Sequence, residues 1–341
     1  MDLAFTEYGD AAKPPVVIVH GLYGSGKNWA TIAKGLAETA HVFTLDLRNH
    51  GDSPWDGSMD YRDMAADVRA FMAAHGVLGE ALVVGHSMGG KTAMTLALLE
   101  PAAVRRLVSV DMPPAKLSAQ TVGYARIMLD VDLAGCARRA DVDRALADKV
   151  PEQMVRLFLL QSLESTGGGF RWKLNLQAIL DQWPQIADFP VTDRVYEGPA
   201  LFLSGAASDY VRPEHEAEIR RLFPAARLET VPAAGHWVHA EQPQAVIAAL
   251  SAEVAALQFF PRAALPPLAQ EAKSLSGTPV PSRRLEGSDP CPNCWRRPSR
   301  PNFSTPSAPS SATRASSSMK PTWPPSWRKS AAFTSARRWR W

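Results

Sequence analysis

The tightest constraint on this chain lies at residues 81–99. An apolar run, Ala81-Leu82-Val83-Val84, leads into Gly85-His86-Ser87-Met88-Gly89-Gly90, and Lys91 to Leu99 then reads as a helix. A G-x-S-x-G pattern alone is a weak signal. Set between a strand and a helix it becomes specific, because that sharp turn lifts a serine hydroxyl above the end of a sheet. Small residues on both sides let strand and helix press close, and Ser87 is expected to sit in a strained conformation. Its hydroxyl would then stand at a helix N-terminus, where backbone N–H groups favour developing negative charge. The competing reading is a glycine-rich turn that merely packs. Ser87 is the candidate nucleophile.

Strand-like and helix-like segments alternate on either side of this turn, which predicts a mostly parallel sheet covered by helices. Strands are expected at Val16 to His20, Val42 to Asp46, Ala81 to Gly85 and Leu107 to Asp111, with helices at Lys27 to Glu38 and Arg62 to His75. From Met112 to about Glu197 the alternation stops. This stretch is helical, rich in Leu and Arg, and broken once at Gly167-Gly168-Gly169. The pattern resumes with a strand at Ala200 to Ser204, a helix at Pro213 to Phe223, a strand at Arg227 to Val231 and a last helix from about Gln242 to Leu257. The expected architecture is therefore α/β, with a helical cap (about 113–197) inserted before the penultimate strand, where it would cover an active site.

Composition separates this body, residues 1–257, from a tail, 258–341. The tail holds 14 of the 28 prolines, five of the ten tryptophans and 14 of the 37 Lys and Arg, but only three of the 34 Asp and Glu. It carries about +11 against about −8 for the body, so the net +3 averages two unlike segments. Pro-, Ser- and Arg-rich sequence cannot build a core, and disorder is the expectation for it. Such a tail after a complete domain also resembles out-of-frame translation of a GC-rich gene. Its basic charge and interleaved Trp allow electrostatic nucleic-acid binding as a lesser possibility. Cys291-Pro292-Asn293-Cys294 is a lone C-x-x-C with no histidine in the tail to complete four zinc ligands, so no metal is expected. The N-terminus lacks a basic region followed by an apolar one, and no apolar run approaches the roughly 20 residues of a membrane span. With three cysteines in the whole chain, these features predict a soluble cytoplasmic protein without disulfides.

A serine hydroxyl needs a base, and imidazole has the right proton affinity near neutrality. Of the eight histidines, His236 in Ala234-Gly235-His236-Trp237 lies in a turn between the last strand and the last helix. In open α/β sheets that loop and Ser87 both fall at the carboxyl ends of strands, where chemistry gathers. Two aspartates are candidates for the acid that orients the base. Asp111 ends the strand after the elbow helix, and the alternative, Asp209, follows the next sheet strand. Ser208 is a candidate auxiliary to the histidine. The oxyanion hole should combine the N–H of Met88 with one from the early loop His20 to Gly26, and Leu22 is the expected donor.

Four blocks of sequence resemble one known family. They are His20-Gly21-Leu22-Tyr23-Gly24-Ser25, Asp46-Leu47-Arg48-Asn49-His50-Gly51-Asp52-Ser53-Pro54, Gly85 to Lys91, and Gly235-His236-Trp237-Val238-His239-Ala240-Glu241. In order and at natural spacing, they resemble the YbfF-type esterases, a branch of the α/β-hydrolase superfamily with abhydrolase-domain relatives in mitochondria. The resemblance covers about residues 1–257. It implies the α/β-hydrolase fold and cleavage of carboxylic esters or thioesters of short acyl groups, with no metal or organic cofactor. It carries Ser87, Asp111 and His236 over as a triad with Ser208 beside the histidine, while Asp209 departs from the family's form. Arg171-Trp172-Lys173-Leu174-Asn175 also resembles a family segment, with packing as its simplest role.

Rival readings are fewer. Gly21 to Asn28 nearly spells the phosphate-binding G-x-x-x-x-G-K-[ST], but Asn28 stands where a Mg²⁺-binding hydroxyl belongs. Other chemistries available to a Ser triad are C–C hydrolysis, perhydrolysis and hydroxynitrile lysis, and fold alone does not separate them. A non-catalytic binding module is the remaining class, and the intact Ser87–His236 pair argues against it.

Overall fold

Short apolar strands buried along nearly their whole length build the centre of the molecule. In the computed structural model, which describes residues 1–116 and 123–259, nine strands form. They are β1 (Phe5–Tyr8), β2 (Pro15–Val19), β3 (His41–Leu45), β4 (Leu82–His86), β5 (Arg106–Val110), β6 (Leu163–Thr166), β7 (Gly169–Trp172), β8 (Ala200–Gly205) and β9 (Ala226–Val231). Seven make one sheet in the order β1-β3-β2-β4-β5-β8-β9, with β1 antiparallel at one edge and all other pairs parallel. The described helices are α1 (Ala30–Leu36), α2 (Tyr61–Ala74), α3 (Met88–Leu99), α4 (Gly123–Leu129), α5 (Arg139–Ala147), α6 (Gln153–Leu160), α7 (Leu176–Asp181), α8 (Trp183–Ala187), α9 (Glu216–Leu222), α10 (Val238–Glu241) and α11 (Pro243–Phe259).

The period-2 side-chain alternation of a strand sorts the core into two halves. Val17, Val19, Val83 and Leu107 face one way, against Met64 and Val68 of α2 and Met94 of α3. Val16, Ile18, Val84 and Val108 face the other way, against Ile32 and Leu36 of α1 and Val246 and Leu250 of α11. Central strands buried on both faces read as unbroken apolar runs, which is why the sequence exposes them so plainly. Edge strand β1 does not: three of its four residues are exposed, and its pattern carries no apolar signal.

Between β5 and β8 the chain makes the inserted helices α4 to α8. The expectation of an all-helical insertion needs one correction. The interruption at Gly167-Gly168-Gly169 supplies the two-residue turn, Gly167-Gly168, and the first paired residue of a two-stranded antiparallel hairpin, β6–β7, in which Leu163 pairs with Trp172 and Thr166 with Gly169. Trp172 is buried there, and its Nε1 donates to Met128 O at 3.0 Å. The following residues brace the insertion to the body. Lys173 pairs with Asp52, and Asn175 Nδ2 donates to Asn49 Oδ1 at 3.0 Å. The Arg171 to Asn175 segment thus joins the cap to the 46–54 loop. The expectations for the tail, including Cys291 and Cys294, fall outside the described residues.

Candidate active site

Every side chain and loop singled out for chemistry lies just past the carboxyl end of a strand: Leu22 after β2, Ser87 after β4, Asp111 after β5, Ser208 after β8 and His236 after β9. Parallel strands deliver all five loops to one edge of the sheet. Ser87 sits at φ 53° and ψ −119°, a conformation that L-residues rarely adopt, and Asp111 is likewise at φ 50°. The turn is possible only because its neighbours lack side chains. A Cβ on Gly85 would lie 2.1 Å from Gly89 O, and one on Gly89 would lie 2.3 Å from Val19 O.

His236 Nε2 is 3.1 Å from Ser87 Oγ, and His236 Nδ1 is 2.7 Å from Asp111 Oδ2. A buried carboxylate at Nδ1 keeps the proton on that nitrogen and leaves Nε2 free to accept from the serine. Asp111 is fully buried, and all its contacts are donors: His236 Nδ1, Ser208 Oγ at 2.5 Å and Gly205 N at 3.1 Å. These three hydrogen bonds satisfy the oxygens of a side chain that has no access to solvent. Asp209 is exposed and donates or accepts nothing at this centre. Ser208 meets the carboxylate rather than the imidazole, so it acts on the histidine only through Asp111.

The loop that carries Leu22 is held by two neutral histidines. Leu47 N–H donates to His20 Nε2 at 2.9 Å and Tyr23 N–H to His50 Nε2 at 3.3 Å, while their Nδ1–H groups donate to Gly21 O and Arg48 O. Burial pushes His20 down to about 4 and His50 down to about 3, so both stay uncharged acceptors at neutral pH. Gly21 packs directly over the elbow, where an added Cβ would come within 3.1 Å of Ser87 Cβ. Met88 opens α3, so its N–H has no partner within the helix. Leu22 and Met88 both line the cavity that Ser87 and His236 face. That cavity is about 790 Å3 including its open mouth, and Tyr124, Phe158 and Trp183 of the insertion wall it.

The P-loop-like stretch is not available to a phosphate. Gly24 N–H donates to Gly21 O, Ser25 N–H to Asn28 Oδ1 and Gly26 N–H to Asp46 Oδ1 at 2.7 Å. The other Asp46 oxygen accepts Asp52 N–H at 2.8 Å. Among the described residues no three His, Cys, Asp or Glu side chains converge as metal ligands would.

Three neighbours of the centre escape sequence reasoning. His86 is buried and donates from Nε2 to His236 O at 2.9 Å, tying the base's backbone to the strand that bears the nucleophile. Tyr210 stacks on the His236 ring, with centroids 3.7 Å apart and planes 11° from parallel. Lys91 is wholly buried in α3. Only Lys91 had a visible signal, as a lone charge in an apolar helix.

Comparison with known proteins agrees with this fold. A family model described as the alpha/beta hydrolase fold matches residues 14–243. The mouse sn-1-specific diacylglycerol lipase ABHD11 is 41% identical over 244 residues, covering 69% of this chain and 79% of that protein. The Escherichia coli esterase YbfF is 33% identical over 237 residues, covering 69% and 91%. The solved structure of a marine microorganism esterase is 35% identical with a TM-score of 0.70, covering 73% of this chain and 98% of that one. The chain belongs to the α/β-hydrolase fold family, and its similarity to esterases and lipases marks it as an ester hydrolase.

Proposed function

We propose that the protein is a serine hydrolase that cleaves carboxylic esters or thioesters of short to medium acyl groups through an acyl-enzyme. The observation that carries this reading is the unbroken series Ser87 Oγ, His236 Nε2, His236 Nδ1, Asp111 Oδ2 at 3.1 and 2.7 Å. In the first half-reaction the Ser87 proton passes to Nε2 as Oγ attacks the acyl carbon. The oxyanion that forms lies between the N–H groups of Leu22 and Met88, each such donor being worth roughly 100- to 1,000-fold in rate. The imidazolium, steadied by Asp111, returns its proton to the departing alkoxide or thiolate. Water, deprotonated by the same nitrogen, then releases the acid and restores Ser87.

The apolar wall of the cavity above Ser87 suits an acyl chain, and the mouse relative is named for a diacylglycerol. A glycerolipid-like ester is accordingly the substrate class we favour first. Scarce cysteine fits a reducing compartment, and on that ground we assign the protein to the cytoplasm. The test is hydrolysis of p-nitrophenyl esters from acetate to decanoate by the wild type and Ser87→Ala. Turnover that vanishes in the variant supports the reading, and the chain-length optimum reports the cavity's depth. Turnover that survives in the variant, or is missing throughout the series in the wild type, overturns it.

A further inference from the structure

Lys91 lies one turn along α3 from the elbow, its N–H donating to Ser87 O at 3.1 Å. No part of it reaches solvent. A methionine of similar length would fill such a site without the cost of desolvating an amine, so the amine needs a reason. Its Nζ donates to Ala187 O at 2.9 Å and to Asp188 O at 2.8 Å. These are the last carbonyl of α8 and the one that follows. A helix end leaves its final carbonyls without partners inside the helix, and a basic group there also complements the helix dipole.

Tyr61 of α2 completes the arrangement. Its hydroxyl donates to Ile186 O at 2.7 Å, and Lys91 Nζ stands 5.6 Å from its ring centroid. Three successive carbonyls at the end of the cap are thus held by two core side chains. The Asp188 carboxylate accepts Phe189 N–H instead of pairing with the amine. Burial lowers the Lys91 amine to about 7. An ammonium has three N–H donors and a neutral amine two, so both forms can serve both carbonyls. Meanwhile α8 contributes Trp183 and Ile186 to the wall of the cavity above Ser87.

We propose that Lys91, assisted by Tyr61, is a positioning residue that fixes α8 against the nucleophile-bearing helix and so sets the acyl-chain selectivity of the cavity. The selectivity half rests on the hydrolase reading above. The tie itself does not.

The test compares Lys91→Met and Tyr61→Phe with the wild type by two measurements. One is amide hydrogen exchange across residues 183–191. The other is kcat and KM for p-nitrophenyl acetate and octanoate. Lys91→Met should speed exchange in that segment at least tenfold while the strands stay protected. It should also change the octanoate-to-acetate ratio of kcat/KM at least tenfold, carried mainly by KM. Tyr61→Phe should move both readouts in the same direction by about two- to fivefold, and it decides the matter if Lys91→Met does not fold. Unchanged exchange in a folded variant overturns the tie, and an unchanged ratio overturns the selectivity role even where exchange quickens. If the wild type hydrolyses neither ester, the function proposed above fails, and the exchange comparison alone judges the tie.

Discussion

Replacing Asp111 by Asn separates the two acids that the sequence left open, and the structure supplies the size of the effect. All three partners of the Asp111 carboxylate are donors: His236 Nδ1, Ser208 Oγ and Gly205 N. An asparagine can keep its carbonyl oxygen toward Gly205 N–H, but its NH2 group then faces His236 Nδ1. That nitrogen must turn acceptor, the ring proton moves to Nε2, and the base can no longer receive the Ser87 proton. The side chain keeps its shape, so the fold is retained while the tautomer is wrong. A misdirected tautomer in such a triad costs about 10⁴ in rate, or roughly 5.4 kcal/mol of transition-state stabilisation. Asp209, exposed and without a hydrogen bond to the imidazole, should tolerate the same change with less than about a twofold effect. The assay is kcat/KM for p-nitrophenyl butyrate with thermal melting as the control on folding. A large loss in Asp209→Asn with near-normal Asp111→Asn would refute the reasoning.

Other changes follow from the same contacts. Ser208→Ala removes one donor from a carboxylate that keeps two, so kcat/KM should fall about 3- to 10-fold, the worth of one net hydrogen bond, and a loss as deep as that of Asp111→Asn would contradict an indirect role. Gly89→Ala places a Cβ 2.3 Å from Val19 O, where backbone must shift; about 3 kcal/mol of stability should be lost, read as a melting-point drop of at least about 6 °C. Lys91 gives a pH signature. Its amine titrates near 7 in the folded protein and near 10.4 once unfolded, so the unfolded chain holds more protons between those values. Its contribution to stability must therefore rise with pH across that window, by at most about 1.4 kcal/mol per pH unit, and denaturant titrations of wild type and Lys91→Met at pH 7 and 9 should diverge in that sense.

Much of this was readable because parallel strands buried on both faces spell their apolar character in sequence. Val16 to Val19 and Leu82 to Val84 need no partner to be recognised. The elbow was equally plain, since a turn that brings Gly89 against Val19 O tolerates no side chain at that position. Elements that owe their structure to distant partners were hidden. Strand β1 is made by pairing with β3, and β6–β7 is a hairpin of two four-residue strands whose exposed tip has no alternation to betray it. The sequence favoured Asp111 but left Asp209 open, because which carboxylate meets the imidazole depends on the adjacency of β4, β5 and β8 and on the path of the loop after β9. Tyr210 and His86 act through His236 across 26 and 150 residues of chain, and nothing near either one in sequence announces the contact.

Trapping the covalent intermediate tests the central claim most directly. The protein is mixed with p-nitrophenyl butyrate, quenched in acid within the first turnovers, digested and read by mass spectrometry. A butyryl group is expected on Ser87, in the peptide that spans the β4–α3 turn, present in the wild type and missing from Ser87→Ala. Rapid p-nitrophenol release from the wild type with the acyl group on another residue, or with no acylated peptide at any quench time, would contradict it.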